Sequence, residues 1–248
     1  MVFGNAMRRL AGRTWAGPLQ LPAYWGFFGD SQTDGRETET TAINHWTCFK
    51  IMWEASYSAA SIDSHSLNGE SGRGLAATIT HLLSRSFAGT PWIHVQESGN
   101  QNTTGQTTAG AFGTTFYDGM VDINDQWPGC FISYETAYSF SDARKAEPYR
   151  NWDTYNTELR AQIAALAGVG VTVHLVESEQ WILALVAELG YNTVCFADGD
   201  ANAYHYQGIG NFMIALAMFH AFGYDVSALD HSGINLNSTH KSTAVGLF

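Results

Sequence analysis

Only three cysteines, Cys48, Cys130 and Cys195, stand among the 248 residues of the chain. They are too few and too scattered for a disulfide framework or a zinc knuckle, and an odd count leaves at least one unpaired. Buried apolar thiols are the expected outcome. Positive charge is also sparse, with 12 Lys and Arg against 23 Asp and Glu and a formal charge of −11. Proteins that neutralise a phosphate backbone gather cations to release counterions, so nucleic acid is not an expected partner. No run reaches the roughly 18 apolar residues that a membrane span needs. The nearest, FMIALAMFHAFGY, is short and contains His220. The opening MVFGNAMRRLAGRTW carries three arginines but no following apolar stretch, so no secretion signal is read there. A soluble protein without a membrane partner is expected, with its compartment and oligomeric state open.

What the chain does contain is material for a core: 45% of its residues are apolar and 14% charged, a globular composition. One domain is expected over 23–229, after a lead-in at 1–22 and before a Ser-, Asn- and Thr-rich tail or strap at 230–248. Within it, AYWGFF (23–28) reads as a buried first strand that stops at Gly29-Asp30-Ser31. Residues 39–55 place Ile43, Trp46, Phe49 and Trp53 near helical spacing. A weak strand near 61–66 leads through a turn-rich stretch into GLAATITHLLSRSF, with Leu75, Ile79, Leu82 and Leu83 on one helical face. Strands follow at 91–97 and 129–135, then a helix at 154–168 with Gly168 and Gly170 near its end, and a strand at 171–176. A helix at 179–190, a short strand at 192–197 and a helix at 208–223 complete the pattern. Strands alternating with helices at this spacing predict an α/β fold, a parallel sheet covered on both faces.

In such a sheet, ligands sit outside the carboxyl ends of the strands, which directs attention to the polar residues there. Four loops stand out: Gly29 to Gly35, Asn68 to Gly72, Ser98 to Asn102, and Asp198 to His205. Serine becomes a nucleophile only where a base takes its proton and donors receive the charge developing on the carbonyl oxygen. These loops hold candidates for each part. GDSQTDG resembles the Gly-Asp-Ser block of the SGNH (GDSL-type) serine hydrolases, at the place after the first strand where that superfamily has it. NGESGRG resembles the second block, with Gly72 as its glycine, and SGNQN the third, with Asn100 as its asparagine. His205, followed by Gly208, Gly210 and an apolar helix, resembles the last. YNTELRAQIAALAGVGVTVHLV is similar to the penultimate helix and strand, and the resemblance spans roughly residues 24–220.

The resemblance implies a three-layer α/β/α sandwich around a parallel, flavodoxin-like sheet and a serine esterase working through an acyl-enzyme. Ser31 would attack the ester carbonyl while His205 takes its proton and returns it to the leaving alcohol. Backbone N–H groups of Ser31 and Gly72 and the Asn100 amide would form the oxyanion hole. Two positions depart from the family pattern. Asn202 stands three residues before the histidine where the family has Asp, with Asp200 five and Asp198 seven residues before. Only a carboxylate can stabilise imidazolium by charge, which favours Asp200 and leaves Asn202 and Asp198 as alternatives. Ser98 holds the place of the third block's first glycine, leaving Asn102 as a substitute for Asn100.

Aromatic residues make up 13% of the chain, and most fall on core faces; Trp127, Tyr138, Tyr149 and Trp152 lie near the fourth strand and are the expected substrate contacts. The substrate is expected to be a small-molecule or carbohydrate ester, an O-acetyl group being one option. No cofactor and no metal are expected. Asp198-Gly-Asp200-Ala-Asn202 imitates the start of a calcium loop but lacks the later glycine and glutamate, and no His or Cys pair has zinc spacing. His45, His65, His81, His94, His174, His220, His231 and His240 receive no role. The alternative reading is a catalytically inactive SGNH-fold domain that binds glycan, for which Asn202 is the argument. A flavodoxin-like nucleotide binder would need a glycine-rich phosphate loop, and GDSQTDG is too acidic for one.

Overall fold

A computed structural model describes residues 18–29, 44–57, 63–64, 74–96, 108–136, 152–195 and 206–248. Five strands are seen there: β1 (Tyr24–Gly29), β2 (Asp63–Ser64), β3 (Pro91–Gln96), β4 (Phe131–Glu135) and β5 (Val173–Val176). They form one parallel sheet in the order β2-β1-β3-β4-β5. The helices among the described residues are α1 (His45–Tyr57), α2 (Gly74–Leu83), α3 (Ala109–Gln126), α4 (Trp152–Ala167), α5 (Ser178–Leu189), α6 (Tyr191–Val194), α7 (Gly208–Ala221) and α8 (Ser238–Val245). The expected α/β class and the helix-covered parallel sheet are both present.

The strand period of two divides the core between the two faces. On one face Trp25, Phe27 and Trp92 meet Phe49, Trp53, Phe219 and Phe222 from α1 and the α7 region. On the other, Phe28, Ile93, Val95, Ile132 and Tyr134 pack on α2, α3 and α4 through Leu75, Phe116, Met120 and Leu159. α7 is buried nearly all round, from Gly208 to Phe219. That explains its continuous apolar run, which has the length of a core helix and not of a membrane span. No helix among the described residues is long and apolar enough to cross a membrane.

Three features differ from the sequence reading. Residues 109–126, not assigned to any element, form the long helix α3, capped by Thr108 Oγ1 accepting from Ala111 N–H. The expected strand at 192–197 begins instead as the short helix α6, because Gly190 at φ +82° ends α5 and the chain turns at once into a new helical turn. The tail contains helix α8, capped by the Asn237 side chain, and closes on the core by stacking Phe248 on Trp181 at 4.0 Å.

Candidate active site

The strand order β2-β1-β3 means that the chain leaves β1 toward one side and returns on the other. The crevice at the carboxyl ends of β1 and β3 is therefore the switch point where ligands bind in open parallel sheets. Gly29 closes β1 there in register with Gln96, the last residue of β3. Ser31 follows Gly29 by two residues and Asn100 follows Gln96 by four. Gly72 precedes the first residue of α2, Gly74, by two, and His205 immediately precedes Tyr206. Ser31, Gly72, Asn100, Asn102, Tyr138, Tyr149, Asp198, Asp200, Asn202 and His205 themselves lie outside the described residues.

The framework around the histidine segment is described. Cys195 and Tyr206 form an antiparallel bridge, and Gln207 N–H donates to Val194 O at 2.9 Å, so both ends of segment 196–205 are held together. The Asn211 amide, buried on α7, donates to Tyr206 O at 3.3 Å and Gln207 O at 3.4 Å. Gly210 makes the approach possible: a Cβ there would stand 2.5 Å from Val194 O and 3.0 Å from Tyr206 Cβ. A side chain of any size at 210 would push α7 off the end of α6 and the Cys195–Tyr206 bridge, between which the histidine segment runs.

Below the carboxyl edge, on the α1 and α7 face, lies a band of buried polar side chains that the sequence reading left without a role. Pairing of His94 with Ser133 and the alternation of the strands put Trp92, His94, Ser133 and Glu135 on this face. Trp92 Nε1–H donates to Ser133 Oγ at 2.7 Å, and His94 Nδ1 lies 2.9 Å from the same oxygen. His94 Nε2 stands 3.5 Å from Glu135 Oε2. His45, the first residue of α1, completes the group, its ring centroid 5.7 Å from that of His94. Burial pushes the His94 pKa down to about 3. His45 falls to about 4, mainly by burial, against which the Glu135 charge and the Asn211 side chain act. Both rings are neutral near pH 7. The polar signal was visible in the sequence as His94 and Glu135 within otherwise apolar strands and His45 beside an apolar helix face, but only the sheet register and the packing of α1 show that they face one another.

Two expected substrate contacts lie among the described residues. Trp152 opens α4, the helix that follows the segment after β4. Trp127 ends α3 just before β4 begins and packs edge-on to Phe87, which precedes β3, at 5.3 Å. That is the amino-terminal edge of the sheet, opposite the crevice, so Trp127 is corrected to a packing residue. Its place follows from α3 running antiparallel to the strands, a helix the sequence reading did not contain.

No protein-family model matches the chain. No curated protein matches it significantly either. Solved structures do match. The chain is similar to an acetylxylan esterase from Geobacillus stearothermophilus, at 13% identity and TM-score 0.65 over 84% of this chain and 97% of that one. It is similar to an α/β hydrolase from the metagenome of Lake Arreo, Spain, at 14% identity and TM-score 0.63 over 82% and 96% of the two chains. A member of the lipolytic protein G-D-S-L family from Veillonella parvula matches at 15% identity and TM-score 0.57 over 80% and 97%. With its 2-1-3-4-5 parallel sheet between two helical layers, the chain has the SGNH/GDSL hydrolase fold.

Proposed function

We propose that the protein is a serine esterase that hydrolyses a carboxylic ester through an acyl-enzyme on Ser31. The observation that carries this reading is the position of the Gly-Asp-Ser block: it begins on Gly29, at the carboxyl end of β1, beside β3 at the switch point of the sheet. His205 is the general base, one residue from an anchor held by the Cys195–Tyr206 bridge and by α7. The Ser31 and Gly72 N–H groups and the Asn100 side chain receive the oxyanion, with Asn102 as the substitute for Asn100. Loss of one such donor costs on the order of 2.7–4 kcal/mol of transition-state stabilisation. Asp200 orients His205, ahead of Asn202 and Asp198, because a carboxylate also stabilises the imidazolium. The hydrolase unit spans 23–229.

The substrate class proposed is an acyl ester on a carbohydrate, an O-acetyl group first, with Tyr138, Tyr149 and Trp152 as contacts. Support comes from the similar fold of the Geobacillus stearothermophilus acetylxylan esterase, of which a serine-to-alanine variant is a catalytic mutant. Hydrolysis of p-nitrophenyl acetate and of acetylated xylo-oligosaccharides tests the reading. Activity on both is expected, abolished by Ser31→Ala and by His205→Ala in proteins that keep their circular dichroism spectrum. Undiminished turnover in a folded Ser31→Ala protein would remove the nucleophile assignment.

A further inference from the structure

Three side chains from three elements converge in the buried interior between the sheet and α1: His45 from the start of α1, His94 from β3 and Glu135 from the end of β4. Each offers one ligand atom, and these atoms all lie within 4.8 Å of one another. His45 and His94 are fully buried and Glu135 is 2% exposed. Buried polar atoms are normally hydrogen-bonded, since an unmet donor or acceptor costs about 1–3 kcal/mol. Here neither ring nitrogen of His45 nor Nε2 of His94 makes a well-aligned hydrogen bond, although the Asn211 side chain lies close enough to His45 to act on it as a hydrogen-bonding group. Poorly met ring nitrogens of two histidines in one small volume, with a carboxylate among them, form a donor set that calls for a shared ligand.

We propose that His45, His94 and Glu135 form a buried divalent-metal site of the zinc type that ties the start of α1 to β3 and β4. The donor chemistry fits, since two imidazoles and one carboxylate are a zinc set and leave a fourth tetrahedral position. The spacing fits as well. Bonds of about 2.0–2.1 Å put neighbouring donors of a tetrahedron ~3.3 Å apart, against 3.5 Å between His94 Nε2 and Glu135 Oε2. The remaining separations need to close by at most ~1.5 Å.

The surroundings also suit ligation. Metal-bound histidines usually give their other N–H to an acceptor that fixes ring and tautomer. Ser133 Oγ, itself fixed by the Trp92 N–H, stands 2.9 Å from His94 Nδ1 and is placed to accept that proton. The Asn211 side chain lies beside His45, with a buried amide oxygen that has no hydrogen-bond partner and is available for the same purpose.

Metal content and metal binding test this without reference to esterase activity. Protein purified without chelator is analysed by inductively coupled plasma mass spectrometry. The same protein, refolded from denaturant after EDTA, is titrated with Zn2+ and with Co2+. The expected results are one equivalent of bound zinc and a cobalt spectrum with the strong visible absorption of a four-coordinate ion. His45→Ala, His94→Ala and Glu135→Gln are each expected to weaken zinc binding at least 100-fold, and His240→Ala not at all. If a ligand variant fails to fold, Ser133→Ala replaces it, with an expected loss of about 10–100-fold. Wild-type protein that refolds without taking up zinc or cobalt would overturn the proposal. So would binding that survives in folded ligand variants, or a cobalt spectrum of the weak six-coordinate kind.

Discussion

Replacing Gly210 by alanine probes the link between the helical framework and the proposed catalytic histidine. The added Cβ would stand 2.5 Å from Val194 O, where ordinary contact begins near 3.4 Å, and 3.0 Å from Tyr206 Cβ. The carbonyl is backbone, engaged by Gln207 N–H, and cannot rotate away. Helix α7 and the Cys195–Tyr206 bridge must therefore separate by ~0.9 Å. Overpacking of this kind costs about 1–3 kcal/mol. The intrinsic helix preference of alanine over glycine returns at most ~1 kcal/mol. A net loss of about 1–2 kcal/mol is expected, lowering Tm by roughly 2–8 °C for a chain of this size. Displacement of a reacting group by about 1 Å can cost ~100-fold in rate. Because His205 adjoins Tyr206, kcat/KM for p-nitrophenyl acetate is expected to fall by about that factor, beyond what unfolding explains. Gly110→Ala is the control, since a Cβ there meets nothing within 4 Å. It should keep full activity and gain up to ~1 kcal/mol in a denaturant titration. Wild-type stability and rate in Gly210→Ala would refute the reasoning.

Replacing a carboxylate partner of a catalytic histidine by its amide lowers turnover by about 10⁴ in a related triad. Asp200→Asn is accordingly expected to be crippled and Asn202→Ala only mildly slowed in steady-state ester hydrolysis, with near-normal rates in Asp200→Asn moving the role to Asn202 or Asp198. Acid stability follows from the buried imidazoles. In EDTA-treated protein His45 and His94 take up protons only below about 4 and about 3, whereas in the unfolded chain they do so near 6.5. The unfolded state thus binds more protons between these values, and stability falls as pH drops below 6.5. The fall of His45 to about 4 alone is worth ~3 kcal/mol. Denaturant titrations at pH 7 and pH 4.5 measure this, and equal stabilities would contradict neutral burial of these rings.

The sheet and most helices were legible because hydrophobic periodicity reports them directly, as in Trp25, Phe27 and Phe28 of β1 or Leu75, Ile79 and Leu82 of α2. Helix α3 escaped notice because Gly110, Gly113, Gly119 and the helix-disfavouring Thr114, Thr115 and Asn124 dilute its propensity. Its core spacing, Phe112, Phe116, Met120 and Ile123, was nonetheless present. Two of those glycines have a packing reason: a Cβ at Gly119 would run into Ile79 of α2, and one at Gly113 into the Glu158 side chain of α4. The Cys195 segment misled for a different reason, since its described residues form the short helix α6 and one bridge. Motif order located the proposed catalytic blocks in sequence relative to β1, β3 and α7. The grouping of His45, His94 and Glu135 was out of reach, because residues up to 90 positions apart are brought together only by the pairing of β3 with β4 and the packing of α1 on the sheet.

The central claim is that Ser31 is an activated nucleophile, and covalent labelling tests it most directly. A binding domain has no activated serine, whereas a serine hydrolase reacts with a fluorophosphonate. Intact-mass spectrometry of the folded protein after fluorophosphonate treatment should show one adduct, mapped by peptide sequencing to Ser31. It should be lost in Ser31→Ala and slowed in His205→Ala. A folded wild-type protein that stays unlabelled, or an adduct that maps to a different serine, would contradict the esterase assignment.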